Sequence, residues 1–138
     1  MIRPRQGLLI VPPRFIDGTV NDSRERRYML VVDCFESDDG TKIISLVNLT
    51  KYEGKAGRIF RSDYVLITRH NPPFPKISFA KTEGIYNLEY FTDLDKLLLA
   101  DGQLLHEIDF NDVIEELESP KIVSFSEQEI RKVNRSLI

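Results

Sequence analysis

Two consecutive strand-like runs joined by an acidic turn constrain this chain more than any other feature. Residues 28–34 form a nearly continuous apolar run, and residues 41–50 follow it after Ser37-Asp38-Asp39-Gly40. Both runs read as strands, and an Asp-rich connection ending in glycine is a good hairpin turn, because Asp tolerates and glycine supplies the backbone angles a reversal needs. In such a hairpin the start of the first strand lies beside the end of the second. The start carries Arg24-Glu25-Arg26-Arg27 and the end carries Asn48-Leu49-Thr50. Guanidinium and hydroxyl then meet at one sheet edge. A guanidinium fork beside a neutral hydroxyl is a cradle for phosphate, which points to work on a phosphodiester.

The unbroken apolar character of Tyr28-Met29-Leu30-Val31-Val32 predicts a central strand covered on both faces. Ahead of it, residues 7–11 read as a buried first strand stopped by Pro12-Pro13, and residues 14–26 as a long polar loop with turn signals at Asp17-Gly18 and Asn21-Asp22-Ser23. Residues 51–58 read as a basic, glycine-containing loop and residues 63–67 as a strand. The prolines at 72, 73 and 75 enforce an extended segment that cannot join a central sheet. Residues 77–80 and 84–90 read as two further short strands.

From Thr92 the pattern turns helical. An amphipathic helix is expected to start at Thr92-Asp93-Leu94-Asp95, with Leu94, Leu97 and Leu98 on one face and a stop near Gly102. A strand over 104–108 is expected next. A helix capped by Asp109 or Asn111 then turns Val113, Ile114 and Leu117 inward before Pro120. Ser126 with Glu129 is a capping-box signature for a last helix through Ile130, Val133 and Leu137. Strands first and helices later predict an α+β, mainly β fold: a small antiparallel barrel or curled sheet with helices packed against it.

At 138 residues, 41% hydrophobic and 30% charged, the chain has the size and composition of a single soluble globular domain spanning 1–138. It shows no membrane-span-length apolar run and no signal-peptide core, so a cytoplasmic location is expected. Cys34 is the single cysteine, which excludes an internal disulfide and a multi-cysteine zinc site, and its mid-strand position marks a packed small side chain. Net charge is −3, unevenly spread: residues 1–69 carry 12 Lys/Arg against 9 Asp/Glu, and residues 70–138 carry 7 against 13. This sets a basic face for a polyanion on an acidic body, or simply solvated helices in the second half. Overall acidity argues against non-specific binding of long duplex nucleic acid, and a short single strand remains a suitable target.

The common catalytic signatures are absent: no glycine-rich phosphate loop, no cysteine pair, no nucleophile elbow and no His-Glu-x-x-His. Neither a metal nor a cofactor is expected, because acidic pairs such as Asp38-Asp39 and Glu115-Glu116 fall in a turn and on a helical face. What remains is the basic and hydroxyl set of the first half. Arg27 abuts a strand and is therefore rigidly based, as an electrostatic catalyst must be. Thr50 ends a strand and can donate to the same group. RNA carries its own nucleophile in the 2′-hydroxyl, so a protein that cleaves it needs an oxyanion stabiliser, a base and an acid. Arg14, Arg24, Arg26 and His70 are candidates for the supporting tasks, and Lys51, Tyr52, Arg58 and Arg61 for holding the strand. The plain alternative for the arginines is a solubilising loop charge, and for His70 a turn residue ahead of the diproline.

At these residues the chain resembles the PemK/MazF-like toxins, the endoribonucleases of bacterial toxin–antitoxin pairs. The resemblance rests on Gly7 before an apolar first strand, Arg27 ahead of Tyr28-Met29-Leu30-Val31-Val32 after a long loop, and Thr50 closing Ile43-Ile44-Ser45-Leu46-Val47-Asn48-Leu49. Residues 75–86 resemble the family's later strand pair, and the helix from Ser126 resembles its C-terminal helix. The resemblance implies an SH3-like small barrel with helical additions, a homodimer, a cognate antitoxin partner and metal-independent cleavage of single-stranded RNA, most naturally mRNA. It also implies that Arg27 stabilises the transition-state phosphorane and that Thr50 binds the scissile phosphate. The chain departs from the family in carrying Tyr28 where proline is usual, Asn21-Asp22-Ser23 where a Glu-Gln pair is common, and a longer segment over 87–120.

Two rival expectations use the same residues differently. A non-catalytic binding module on the same small barrel stacks and holds single-stranded nucleic acid or a peptide through Tyr52, Phe60, Arg58 and Arg61. An interaction protein of a phage or mobile element makes no use of Arg27 and Thr50.

Overall fold

The computed structural model describes residues 1–137. Its centre is the expected hairpin, β2 (Arg27–Glu36) and β3 (Lys42–Lys51), reversed through Ser37–Thr41 with Gly40 at a positive φ of 85°. β1 (Gly7–Ile10) pairs antiparallel with β2. The other edge of β3 is shared: its end pairs with β5 (Ser78–Lys81), which carries β4 (Tyr64–Ile67), and its start pairs with β6 (Gly84–Glu89), which carries β7 (Lys121–Phe125). The result is one forked, seven-stranded sheet, antiparallel except for β6–β7, with a few helices around it, and it does not close on itself. This is an α+β fold.

Alternation along β2 and β3 divides the core into two halves. Met29, Val31, Ile44 and Leu46 face one cluster with Leu8, Tyr86, Phe91 and Ile130. Leu30, Val32, Val47 and Leu49 face the other with Phe74, Leu105 and Val113. Both faces of the hairpin are thus covered, as the unbroken apolar run predicts. Gly7 is required by packing: a Cβ there would lie 2.8 Å from Pro73 Cγ and 2.9 Å from Phe74 Cε1. The proline segment stays out of the sheet, as expected, and packs its Pro73 and Phe74 against Gly7 of β1.

The second half departs from expectation in three places. Thr92–Leu97 and Ala100–Gly102 are short 3-10 turns rather than one α-helix, with Ala100 and Asp101 at φ values of 50° and 53°. The reason is tertiary: Leu98 and Leu99 are drawn out to cover the free edge of β1, Leu98 bridging Leu8 and Leu99 N–H donating to Gly7 C=O at 2.9 Å. Residues 104–108 form no strand. Leu105 is buried and makes one sheet-like bond, to Arg5 C=O, and the helix α1 (Glu107–Glu116) already begins there, capped by His106 rather than Asp109 or Asn111. Asp109 is instead buried and accepts from Arg69 N–H and its guanidinium, while Ile114, expected inward, is largely exposed. The third departure is β7, a short strand that buries Phe125 and leaves Ile122 exposed.

The last helix, α2 (Glu127–Val133), has the expected capping box from Ser126 and Glu129. Its end is fixed by Asn134, whose buried carboxamide bonds both N–H and C=O of Val11 at 2.9 Å. Among the described residues no helix is long and apolar enough to cross a membrane.

Candidate active site

The β2–β3 ladder ends with Met29 opposite Asn48, and Arg27 and Thr50 lie two residues beyond that pair, Arg27 paired with Ile10 of β1 and Thr50 with Phe79 of β5. The two ends open onto a cleft of about 320 Å³ lined by Arg26, Arg27, Thr50, Lys51, Lys55 and Lys76. Tyr28, Leu49, Pro75 and Ser78 complete its wall, and among the described residues no carboxylate lines it. Five cations with no facing carboxylate make an anion site by Coulomb attraction alone.

Three of the five cations are held by a neighbour. The Arg27 guanidinium stacks over the Phe15 ring at 5.2 Å and donates from Nη2 to Glu25 at 2.6 Å. Glu25 is placed by the first loop. Asn21, itself buried, donates to Pro12 C=O and Glu25 C=O and accepts from Glu25 N–H, at 2.9 to 3.0 Å. Lys76 lies 3.7 Å from Glu53. Lys55, at the foot of the short 3-10 turn Ala56–Phe60, donates to the Thr50 hydroxyl. Burial, and then the charges of Arg58, Arg27, Lys81 and Lys51, hold the Lys55 ammonium below its usual pKa of 10.5. A threonine oxygen that accepts from lysine keeps its own hydrogen free for a ligand oxygen.

Arg27 also borders a second cleft, of about 330 Å³, on its other side, together with Phe15, Asn48 and Tyr86. Two buried polar atoms lack partners there among the described residues: Arg27 Nε and Asn48 Oδ1. No family model matches this chain, and no curated protein matches it. Its function is therefore read from this geometry.

Of the residues singled out in the sequence, the first cleft gathers Arg26, Arg27, Thr50 and Lys51. Arg24 lies on a different groove, beside Lys96 and Arg135. Arg14 is bound to Glu129 at 3.1 Å and stacks over Phe125, which ties the first loop to α2. Tyr52 packs on Phe79 at 5.6 Å. Arg58 bonds the Tyr64 hydroxyl, and Arg61 is bidentate to Asp63 at 2.6 and 2.8 Å while stacking over Tyr64. His70 Nδ1 lies 2.8 Å from Phe74 C=O, inside the proline turn. Sequence reading missed Lys55, Lys76, Glu25 and Asn48. Lys55 and Glu25 stood in segments already marked as basic, whereas Asn48 gave no signal until its missing partner was visible.

Proposed function

We propose that this protein is a metal-independent endoribonuclease of the PemK/MazF-like kind, cutting single-stranded RNA through its own 2′-hydroxyl. The observation that carries the reading is that Arg27 and Thr50 line one cleft, together with four further cations and no carboxylate among the described residues. On this reading the forked sheet corresponds to an opened version of the small SH3-like barrel, and the working form is a homodimer held silent by an antitoxin whose acidic segment competes for the same cations.

The scissile phosphate sits against Arg27, the Thr50 hydroxyl and Lys55. The 2′-oxygen gives its proton to a base and bonds to phosphorus, charge builds on the phosphorane oxygens, and the bond to the 5′-oxygen breaks as that oxygen takes up a proton. A 2′,3′-cyclic phosphate and a 5′-hydroxyl result. Arg27 stabilises the phosphorane, with its fork fixed in advance by Glu25 and Phe15. Glu25 bonds that fork from outside the cleft lining and acts as its positioning residue. Lys55, whose pKa is lowered by burial and by neighbouring cations, gives up a proton more readily than a free lysine and serves the leaving oxygen.

A second reading is favoured by one observation: Phe60 is 92% exposed and Ile59 47% exposed on the turn that also carries Arg58. Such a surface suits a module that binds a single strand without cutting it. Arg27→Ala separates the two. For an enzyme this variant loses cleavage while RNA binding largely persists; for a binder the wild type cuts nothing.

A further inference from the structure

Phe15 reaches the Arg27 guanidinium from the first loop, and β6 holds that loop in place. The next residue, Ile16, is gripped twice. Its N–H donates to the Tyr86 hydroxyl at 3.2 Å. Its side chain fills the space over Gly84, where an added Cβ would lie 2.5, 2.6 and 2.7 Å from Ile16 Cδ1, Cγ1 and Cγ2. Any side chain at position 84 therefore expels Ile16. Gly84 and Tyr86 stand two residues apart on one strand and share a face of the sheet. Together they form a socket for a single residue, with empty space at one end and a hydrogen-bond acceptor at the other. The socket is rigidly based: β6 runs between β3 and β7, with Tyr86 in register with Leu46 and Val123. Tyr86 is also 2% exposed and stacked on Phe125 at 6.2 Å.

Arg27 needs such an anchor because its own bonds fix it weakly. Its Nε is sealed from solvent and has no partner among the described residues. Its Nη2 bonds Glu25, whose side chain is 54% exposed, and an ion pair so open to water is readily broken. The Phe15 ring supplies a hold that water cannot replace. We infer that Gly84 and Tyr86 are positioning residues for Arg27: they seat Ile16, Ile16 sets Phe15, and Phe15 keeps the guanidinium aimed at the scissile phosphate. Gly84, Tyr86 and Ile16 lie outside the lining of the first cleft, so they act through Arg27 and not on the phosphate itself. The leverage is large, because moving a transition-state group by about 1 Å from a remote site can cost about 10²-fold in rate.

The inference rests on the ribonuclease reading, and two readouts keep them separable. The first is the single-turnover rate of cleavage. Gly84→Ala should lower its maximum about tenfold or more while the half-saturating RNA concentration changes about twofold or less, since Lys51, Lys55 and Lys76 stay in place. Tyr86→Phe removes one hydrogen bond, keeps the ring in the core and should slow cleavage about fivefold. Ile16→Ala empties the socket, so adding Gly84→Ala to it should cost less than about twofold more. Thermal unfolding checks that each variant is folded, and Tyr86→Phe carries the test should Gly84→Ala not fold. The second readout needs no activity: exchange of the Arg27 Nε–H with water, followed by nuclear magnetic resonance in isotope-labelled protein, the signal being the one absent from Arg27→Lys. Exchange should be slow in wild type and about tenfold faster or more in Gly84→Ala. Faster exchange in the socket variants of a wild type that cuts no RNA retains the socket and removes the ribonuclease. Unchanged exchange in folded Gly84→Ala and Tyr86→Phe, or a Gly84→Ala effect as large in the Ile16→Ala background as alone, overturns the socket.

Discussion

Lys55 donates to the hydroxyl of Thr50, so the lysine charge and the threonine oxygen are held together on one cleft. The arrangement has a pH signature. Lys55 sits below its usual 10.5 because of burial and the charges of Arg58, Arg27, Lys81 and Lys51, and a bound phosphate group opposes that shift. An anion therefore raises the Lys55 pKa, and binding takes up protons between the lower pKa of the free protein and the higher one of the complex. Affinity for an uncleavable RNA falls as pH climbs through that window. Calorimetric titration in buffers of different ionisation enthalpy should show proton uptake in wild type and its loss in Lys55→Met.

Arg27 is fixed by Phe15 on one face and Glu25 at one edge. A lysine cannot reproduce the planar fork, so Arg27→Lys should behave nearly as Arg27→Ala does, with cleavage reduced about 10²-fold or more. The Arg27–Glu25 pair is half exposed and contributes at most about 1 kcal/mol to stability. Single-turnover rates alongside thermal unfolding should show activity lost and the fold kept.

Five cations line the first cleft, and each phosphate neutralised on a single strand contributes about −0.7 to the slope of log affinity against log salt. Lys76→Ala should make that slope shallower by about 0.7 for any RNA sequence, because Lys76 supplies charge and not base recognition. Filter binding over a range of salt checks this.

Asn21 makes three hydrogen bonds inside the first loop while almost fully buried. Asn21→Leu leaves the carbonyls of Pro12 and Glu25 and the Glu25 N–H unpaired, and should cost about 1–3 kcal/mol in denaturant unfolding. Because Glu25 positions Arg27, cleavage at temperatures where the variant remains folded should fall as well.

The hairpin was legible because residues 28–34 and 41–50 are apolar runs around a turn whose chemistry is unambiguous. Its consequence, Arg27 and Thr50 at one end of the hairpin and on one cleft, followed from the strand order alone. The capping box of α2 was equally plain, since Ser126 and Glu129 act locally. The leucines at 94, 97, 98 and 99 misled because their spacing suits a helix, while the open edge of β1 claims the Leu99 backbone as a partner. β7 is a short strand at the far edge of the sheet, paired with β6 through a connection that includes α1; its Ile122, Val123 and Phe125 suit a strand, but five residues between Pro120 and the Ser126 cap do not fix a partner. Arg14, Arg61 and His70 carry the right chemistry for a phosphate site, but each has a closer partner in Glu129, Asp63 or the Phe74 carbonyl, and such pairings depend on tertiary neighbours.

The central claim is tested most directly by incubating the purified protein with a long single-stranded RNA in excess chelator and chemically identifying the new ends. The account predicts cuts at a restricted set of sites, each leaving a 2′,3′-cyclic phosphate and a 5′-hydroxyl, and none with Arg27→Ala or Thr50→Ala. Folded wild-type protein that cuts no RNA in a diverse pool, or that cuts equally well without Arg27, contradicts it.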